Sequence, residues 1–195
     1  IITHPLFTND IAYVTIYFDT SHIQPADAPW LGLLESVLGR MDTVRRDYVS
    51  LAKLVNTHLG GLSFTPQGYS RYKDRSLFYP KFTVSAKALL HETDNMAALV
   101  EEILRETDFS SKRRIKELIQ EERSHMEMNI MEGGHVFAAR RLAAGLTASG
   151  RFQELCGGIS YYRFIKDLDE HFERRYEEIS TRLQEISARI FRRNK

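Results

Sequence analysis

The residues of this chain best suited to metal chemistry are a neighbouring histidine and glutamate, His91 and Glu92. In an H-E-x-x-H helix, two histidines four residues apart bind zinc and the glutamate acts as a general base. The fifth position is occupied here by Asn95, so the second imidazole is missing. Because a zinc site needs about three protein ligands, this segment is predicted not to bind zinc.

Another histidine, His125, lies in a segment rich in glutamate. Residues four apart share a helical face and residues two apart do not, so His125 can face Glu121 but not Glu127. A solvated ion pair is favoured over a ligand pair. The only thiol, Cys156, has no histidine partner that the sequence identifies, which predicts a buried and inert side chain.

Composition limits the classes of protein to which this chain can belong. It has 195 residues, 43% of them hydrophobic and 27% charged, which predicts one domain with a sizeable core. The net charge is +1, so neither nucleic acid nor an acidic membrane is expected as a partner. A single cysteine favours a reducing compartment, the cytoplasm or an organelle matrix. No apolar run is long enough to span a membrane. The first residue is Ile and no signal segment follows, so residues 1–195 are expected to be one domain of a longer protein.

The elements that must position these side chains begin with a strand over residues 11–18, rich in β-branched and aromatic residues. Every side chain except Thr15 is wholly or partly apolar. The strand is expected to be covered on both faces, or on one face with tyrosines on the other. A helix follows, with apolar residues at helical spacing between Leu31 and Met41. In a second helix, Asp47 is the predicted N-cap and Gly60-Gly61 marks the end.

The clearest strand lies near residues 81–88, after an extended segment over 62–72 and a turn over 73–75. Four apolar side chains alternate there with polar ones, which predicts one face in the core and one in water. The apolar residues are Phe82, Val84, Ala86 and Ala88.

From His91 onward the pattern predicts only helices. The candidate caps are Thr93 or Asp94 for one helix and Ser110 or Ser111 for the next. The last helix is long and amphipathic. The order of elements predicts an α+β fold, with an antiparallel sheet, helices packed on one side and a helix-rich C-terminal half.

Several short segments occur in the order found in one peptidase family. They are GGLSF at 60–64, PKFTVSAKAL at 80–89, GH at 134–135 and GISYYRF at 158–164. Together they resemble the central associated domain of the presequence-protease branch of the pitrilysin/insulinase zinc metallopeptidases. The resemblance spans essentially the whole chain and implies a peptidase-like (LuxS/processing-peptidase-like) unit.

The resemblance also implies which residues stand where a catalytic unit carries its zinc motif, H-x-x-E-H. Gly32 and Ser36 occupy the two histidine positions, and only Glu35 remains. Glycine and serine supply no imidazole, so no zinc or other cofactor is expected in this chain. In such proteins the zinc lies in the first of four similar units, and this chain resembles the third. Three downstream glutamates compete for the position of the third ligand: Glu117, Glu121 and Glu122.

Two further pairs of residues have a functional and a structural interpretation. Gly134 and His135 are either part of a surface that contacts peptides or a break between helices, and the break is favoured because glycine pairs punctuate helices. Tyr161 and Tyr162 either stack on a peptide in a chamber or pack in the core. Packing is favoured, since one of two adjacent tyrosines on a helix usually faces the core.

The function implied by the resemblance is mechanical. The chain would form part of the wall of a chamber in a zinc metalloendopeptidase that degrades unstructured peptides, without cutting bonds itself. Its partners would be the other domains of the same protein and the unfolded peptide substrate. The alternative is a stand-alone binding or scaffold module that kept the fold and lost the activity. An independent hydrolase is least favoured. A fragment is also expected to self-associate through exposed apolar surface.

Overall fold

A computed structural model describes residues 7–192, without the side chains of Arg75 and Ser76. Its antiparallel sheet has the order β1-β3-β2, in which β3 is central. The strands are β1 Ile11–Asp19, β2 Gly61–Arg71 and β3 Asp74–Leu89. β2 and β3 form a hairpin around a turn at Tyr72 and Lys73, so the turn predicted over 73–75 begins one residue earlier.

The helices follow the predicted pattern, and everything after β3 in the described chain is helical or connecting. They are α1 Ala28–Val37, α2 Tyr48–His58, α3 Thr93–Glu106, α4 Lys112–Glu132, α5 Gly134–Leu146, α6 Ala148–Gly157, α7 Ile159–Glu170 and α8 Phe172–Ile190. Short 3-10 turns, Pro25–Asp27 and Leu90–Glu92, lead into α1 and α3. In the described part of the chain, no helix is both long and apolar enough to cross a membrane.

The sheet has one helix-covered face, as the sequence predicts. All four alternating residues of β3, from Phe82 to Ala88, are buried. In the register, Phe82 lies opposite Phe18 of β1 and Pro66 of β2, so one face of all three strands points into the core. The predicted α+β fold with helices on one side of an antiparallel sheet is therefore confirmed.

The strand β1 is less covered than the sequence predicts. Its tyrosines, Tyr13 and Tyr17, are exposed on the outer face, which agrees with one of the two expectations. On the helix side, however, Val14 and Ile16 also remain more than one third exposed. The expectation that both faces are covered is wrong, because β1 lies at the edge of the sheet and no helix extends over it fully.

Local capping decides where two helices begin. The Asp47 carboxylate accepts a bond from the Ser50 amide at 2.9 Å and caps α2, as predicted. Ser111 caps α4 through the Arg114 amide. The prediction of Thr93 or Asp94 as a cap is wrong, because α3 already includes Thr93, whose hydroxyl donates to the Leu90 carbonyl at 2.9 Å instead.

The helix α1 lies at the centre of the domain and positions the candidate site. Pro29 stands in its first turn, where a missing N–H costs nothing. Most of its side chains are buried, and it contacts α4, α6, α7, α8 and β2. A helix surrounded in this way must match its neighbours closely, because interiors are packed like organic crystals.

Candidate functional site

The first histidine position of the zinc motif, Gly32, has no room for a side chain. A Cβ atom built on Gly32 would lie 2.2 Å from the Cys156 carbonyl oxygen and 2.7 Å from Cε2 of Tyr161. The first of these atoms belongs to the backbone of α6, which cannot rotate away. The place where a histidine would reach towards a metal is therefore filled by α6 and by the Tyr161 ring.

Tyr161 is the residue that fills this place. Its side chain is 2% exposed, and its hydroxyl is buried between Ser36, Glu35 and Glu122 without closing a hydrogen bond of normal length. Burial raises the pKa of the phenol well above its usual range, and the two carboxyl groups raise it further. Tyr161 thus stays protonated as a packing residue of the core.

The surviving motif residue, Glu35, lies in a largely apolar environment. Burial raises the pKa of its carboxyl from 4.5 to about 8, and the nearby Glu122 acts in the same direction. Arg140 of α5 opposes this shift but does not cancel it. Near pH 7 most Glu35 side chains are therefore neutral and poorly suited to act as a base.

Among the three downstream glutamates, the structure brings only Glu122 to this cluster. Burial raises the pKa of Glu122, and its charge acts on Glu35. Glu117 pairs instead with Arg113 and Arg114, and Glu121 pairs with Arg40. The reason is the helical period: along α4 only one of the three glutamates faces α1.

The remaining members of the cluster are polar groups with local partners. The Ser36 hydroxyl, at the second histidine position, donates to the Leu33 carbonyl at 2.9 Å within its own helix. The Cys156 thiol donates to the Ala28 carbonyl at 3.3 Å. Burial raises the pKa of this thiol, so it carries no thiolate at neutral pH. The prediction of a buried cysteine is confirmed.

This arrangement does not fit zinc. Its ionisable members are two carboxyl groups that hold their protons, a phenol and a thiol, and it contains no imidazole. Across residues 7–192, no group of three or more His, Cys, Asp and Glu side chains is placed to hold a metal ion. No catalytic step through zinc can be derived for these side chains.

The other histidines take part in structural contacts. Glu92 is tied to His58 at 2.8 Å and to Asn95 at 2.6 Å, so it joins the end of α2 to the start of α3. His91 is exposed. The predicted pair of His125 with Glu121 is wrong: His125 lies 3.9 Å from Glu122, because Glu121 turns towards Arg40.

Gly134 and His135 lie at the exposed corner between α4 and α5, with Gly133 as the residue between these helices. The predicted helix break is confirmed, and no role in a peptide-contacting surface follows from their position. The adjacent tyrosines divide as predicted. Tyr161 faces the core, whereas Tyr162 is half-buried and donates to Glu127 at 3.0 Å.

One buried carboxylate near the cluster was missed by the sequence reasoning. Glu154 of α6 accepts bonds from the Ser160 amide at 3.0 Å and from Arg141 at 3.1 Å, and so fixes the corner between α6 and α7. Gly158 passes so close that a Cβ atom there would overlap the carboxyl. The glycine pair at 157–158 is the only sequence signal for this corner, which holds Tyr161 over Gly32.

Comparison with known proteins identifies the family. The profile of the associated domain of metallopeptidase family 16, subfamily C, matches residues 1–168, and the chain belongs to this family. It is 32% identical over 188 residues to Protein HypA of Clostridium perfringens. It is also 32% identical over 195 residues to Presequence protease 1, chloroplastic/mitochondrial, of Arabidopsis thaliana. The resemblance to the presequence-protease branch is thereby confirmed.

The matched relatives are much longer than this chain. The alignments cover 96% and 100% of the chain but only 19% and 18% of the two proteins. A crystal structure of a conserved protein from Enterococcus faecalis V583 matches the fold with a TM-score of 0.53, over 87% of this chain and 41% of that chain. With 12% identity, it supports the fold alone.

Proposed function

We propose that this chain is a non-catalytic domain of a longer zinc metalloendopeptidase, and that it forms part of the wall of a chamber for unstructured peptides. The observation that carries the proposal is the filled position above Gly32, where the Cys156 carbonyl and the Tyr161 ring leave no space for a metal ligand. A unit built in this way contributes shape and stability, and the cutting of peptide bonds belongs to another part of the protein.

The family and the relatives support the remaining parts of the proposal. Two relatives at 32% and 25% identity are named presequence proteases, and the chain covers 18% of each. Zinc and the general base would be supplied by an H-x-x-E-H helix elsewhere in the longer protein, where a metal-bound water performs the hydrolysis. The other domains of that protein and its peptide substrates are then the partners of this chain.

We also propose a reducing compartment, either the cytoplasm or an organelle matrix. The one cysteine is free and buried, as is usual for proteins that need no disulfide. The two relatives named above are described as chloroplastic/mitochondrial and as mitochondrial. Fractionation of cells that express the natural protein tests this assignment.

A substitution at the surviving motif glutamate tests the proposed function. In the natural full-length protein, we expect Glu35→Gln to leave the zinc content and the rate of peptide cleavage unchanged within about twofold, because Glu35 neither binds the metal nor takes protons from water. Zinc is measured by elemental analysis and cleavage with an unstructured fluorogenic peptide. The positive control is the glutamate of the H-x-x-E-H helix, whose replacement should abolish cleavage.

Loss of zinc or of cleavage in Glu35→Gln, with an unchanged fold by circular dichroism, would overturn the non-catalytic assignment. The stand-alone alternative makes a different prediction about the gene. If the natural reading frame encodes little more than these 195 residues, the scaffold interpretation replaces the proposed function.

A further inference from the structure

The outer edge of β1 carries unpaired backbone groups. At one end of the ladder, the Leu90 amide donates to the Asp10 carbonyl at 2.8 Å, and at the other the Thr20 amide donates to the Pro80 carbonyl at 3.1 Å. Bonded pairs alternate along an antiparallel ladder, so the even-numbered residues of β1 bond to β3. The residues whose N–H and C=O groups point to the free edge are Tyr13, Thr15 and Tyr17.

This edge lacks the features that keep sheet edges from pairing. Natural edge strands are protected by charged residues, proline, bulges or a covering segment. Residues 11–18 contain no charged residue and no proline, and the β1–β3 ladder runs without a bulge. In the described part of the chain, nothing pairs with this edge. A strand of this kind is a template for a further strand.

An apolar groove runs along the same edge on the helix side. It has a volume of about 320 Å³ and lies between β1, α3 and the end of α8. Val14 and Ile16, 38% and 37% exposed, form its outer wall, and Val100 and Leu104 belong to its inner side. Two lining residues, Glu101 and Arg105, form an ion pair with each other, so no net charge is left over for a ligand. The groove fits apolar side chains two residues apart on an added strand.

We infer that a fourth β-strand docks on the free edge of β1, that its alternate apolar side chains fill this groove, and that the rest of the longer polypeptide supplies it. The inference rests on the proposed function, in which this chain is one domain of a longer protein. Residues outside the match make up about four fifths of the relatives' length. A tethered strand also acts at a millimolar effective concentration, which favours it over a second copy in dilute solution.

Hydrogen exchange in the natural full-length protein tests the added strand directly. We expect the outward amides of Tyr13, Thr15 and Tyr17 to be protected in the wild type. In Thr15→Pro, which removes one outward N–H without touching the bonds to β3, Tyr13 and Tyr17 should exchange at least about tenfold faster. Thr15→Val keeps the N–H and the β-branched shape, so it should exchange like the wild type. Exchange is read by mass spectrometry with fragmentation.

The amides of Ala12, Val14 and Ile16 bond to β3, so they report whether β1 itself is intact. If they lose protection in Thr15→Pro, Val14→Lys takes its place: it keeps every amide and puts an ammonium group in the groove, with Val49→Lys on the exposed face of α2 as its control. Fast exchange of the outward amides in the wild type would overturn the inference. Protection that grows with protein concentration would also overturn it, since a second copy would then be the occupant. Failure of the proposed function appears separately, in zinc content and cleavage.

Discussion

Gly32→Ala is expected to lower the free energy of unfolding of this domain, although alanine is the better helix former. In an open helix the substitution gains up to about 1 kcal/mol. At position 32 the new methyl group would lie 2.2 Å from the Cys156 carbonyl oxygen, so α1 and α6 must separate. Overpacking of a core typically costs about 1–3 kcal/mol, and the net effect is a loss. Urea unfolding of the chain, followed by circular dichroism, measures it.

Gly145→Ala provides the matched control. This glycine also lies in a helix, α5, but no atom stands within 4 Å of the place that its Cβ would take. The same substitution should therefore raise the free energy of unfolding, by about 0.5–1 kcal/mol. If both variants are stabilised, α6 and Tyr161 do not close over position 32, and the argument against a ligand there fails. Gly32→His, the change that would restore the first histidine of the zinc motif, should prevent folding rather than create a zinc site.

Glu35→Gln is expected to stabilise the chain increasingly as the pH rises from 5 to 8.5. The folded protein keeps the Glu35 proton up to a pKa of about 8, whereas the unfolded chain releases it near 4.5. The native state therefore binds more protons between these values, and stability falls as the pH increases. A shift of this size corresponds to on the order of 4 kcal/mol at the alkaline end. Glutamine cannot ionise and avoids this loss.

Unfolding curves at pH 5, 7 and 8.5 measure the difference between the variant and the wild type. Glu121→Gln is the control, since Glu121 lies one residue from Glu122 on α4 but pairs with Arg40 at the surface. It should show no comparable dependence on pH. A difference between Glu35→Gln and the wild type that stays constant across this range would mean that Glu35 ionises freely, and would contradict its burial beneath Tyr161.

Much of the fold could be predicted because its signals are local. The alternation from Phe82 to Ala88 predicts which face of β3 is buried, since side chains alternate across a strand. The carboxylate of Asp47 and the glycines at 133–134 mark helix ends through contacts within a few residues. The caps of α3 were predicted wrongly because its helical turns continue from a 3-10 turn, where Thr93 bonds backwards to Leu90.

The sequence by itself determined the family and the absence of imidazoles at positions 32 and 36, because both depend on residue types in order. Only the tertiary structure decided that Glu122 joins Glu35, that Tyr161 closes over Gly32 and that the edge of β1 stays open. These contacts join residues that lie tens of positions apart along the chain. Each depends on how a helix is rotated against its neighbours, and that rotation is set by the packing of the whole core.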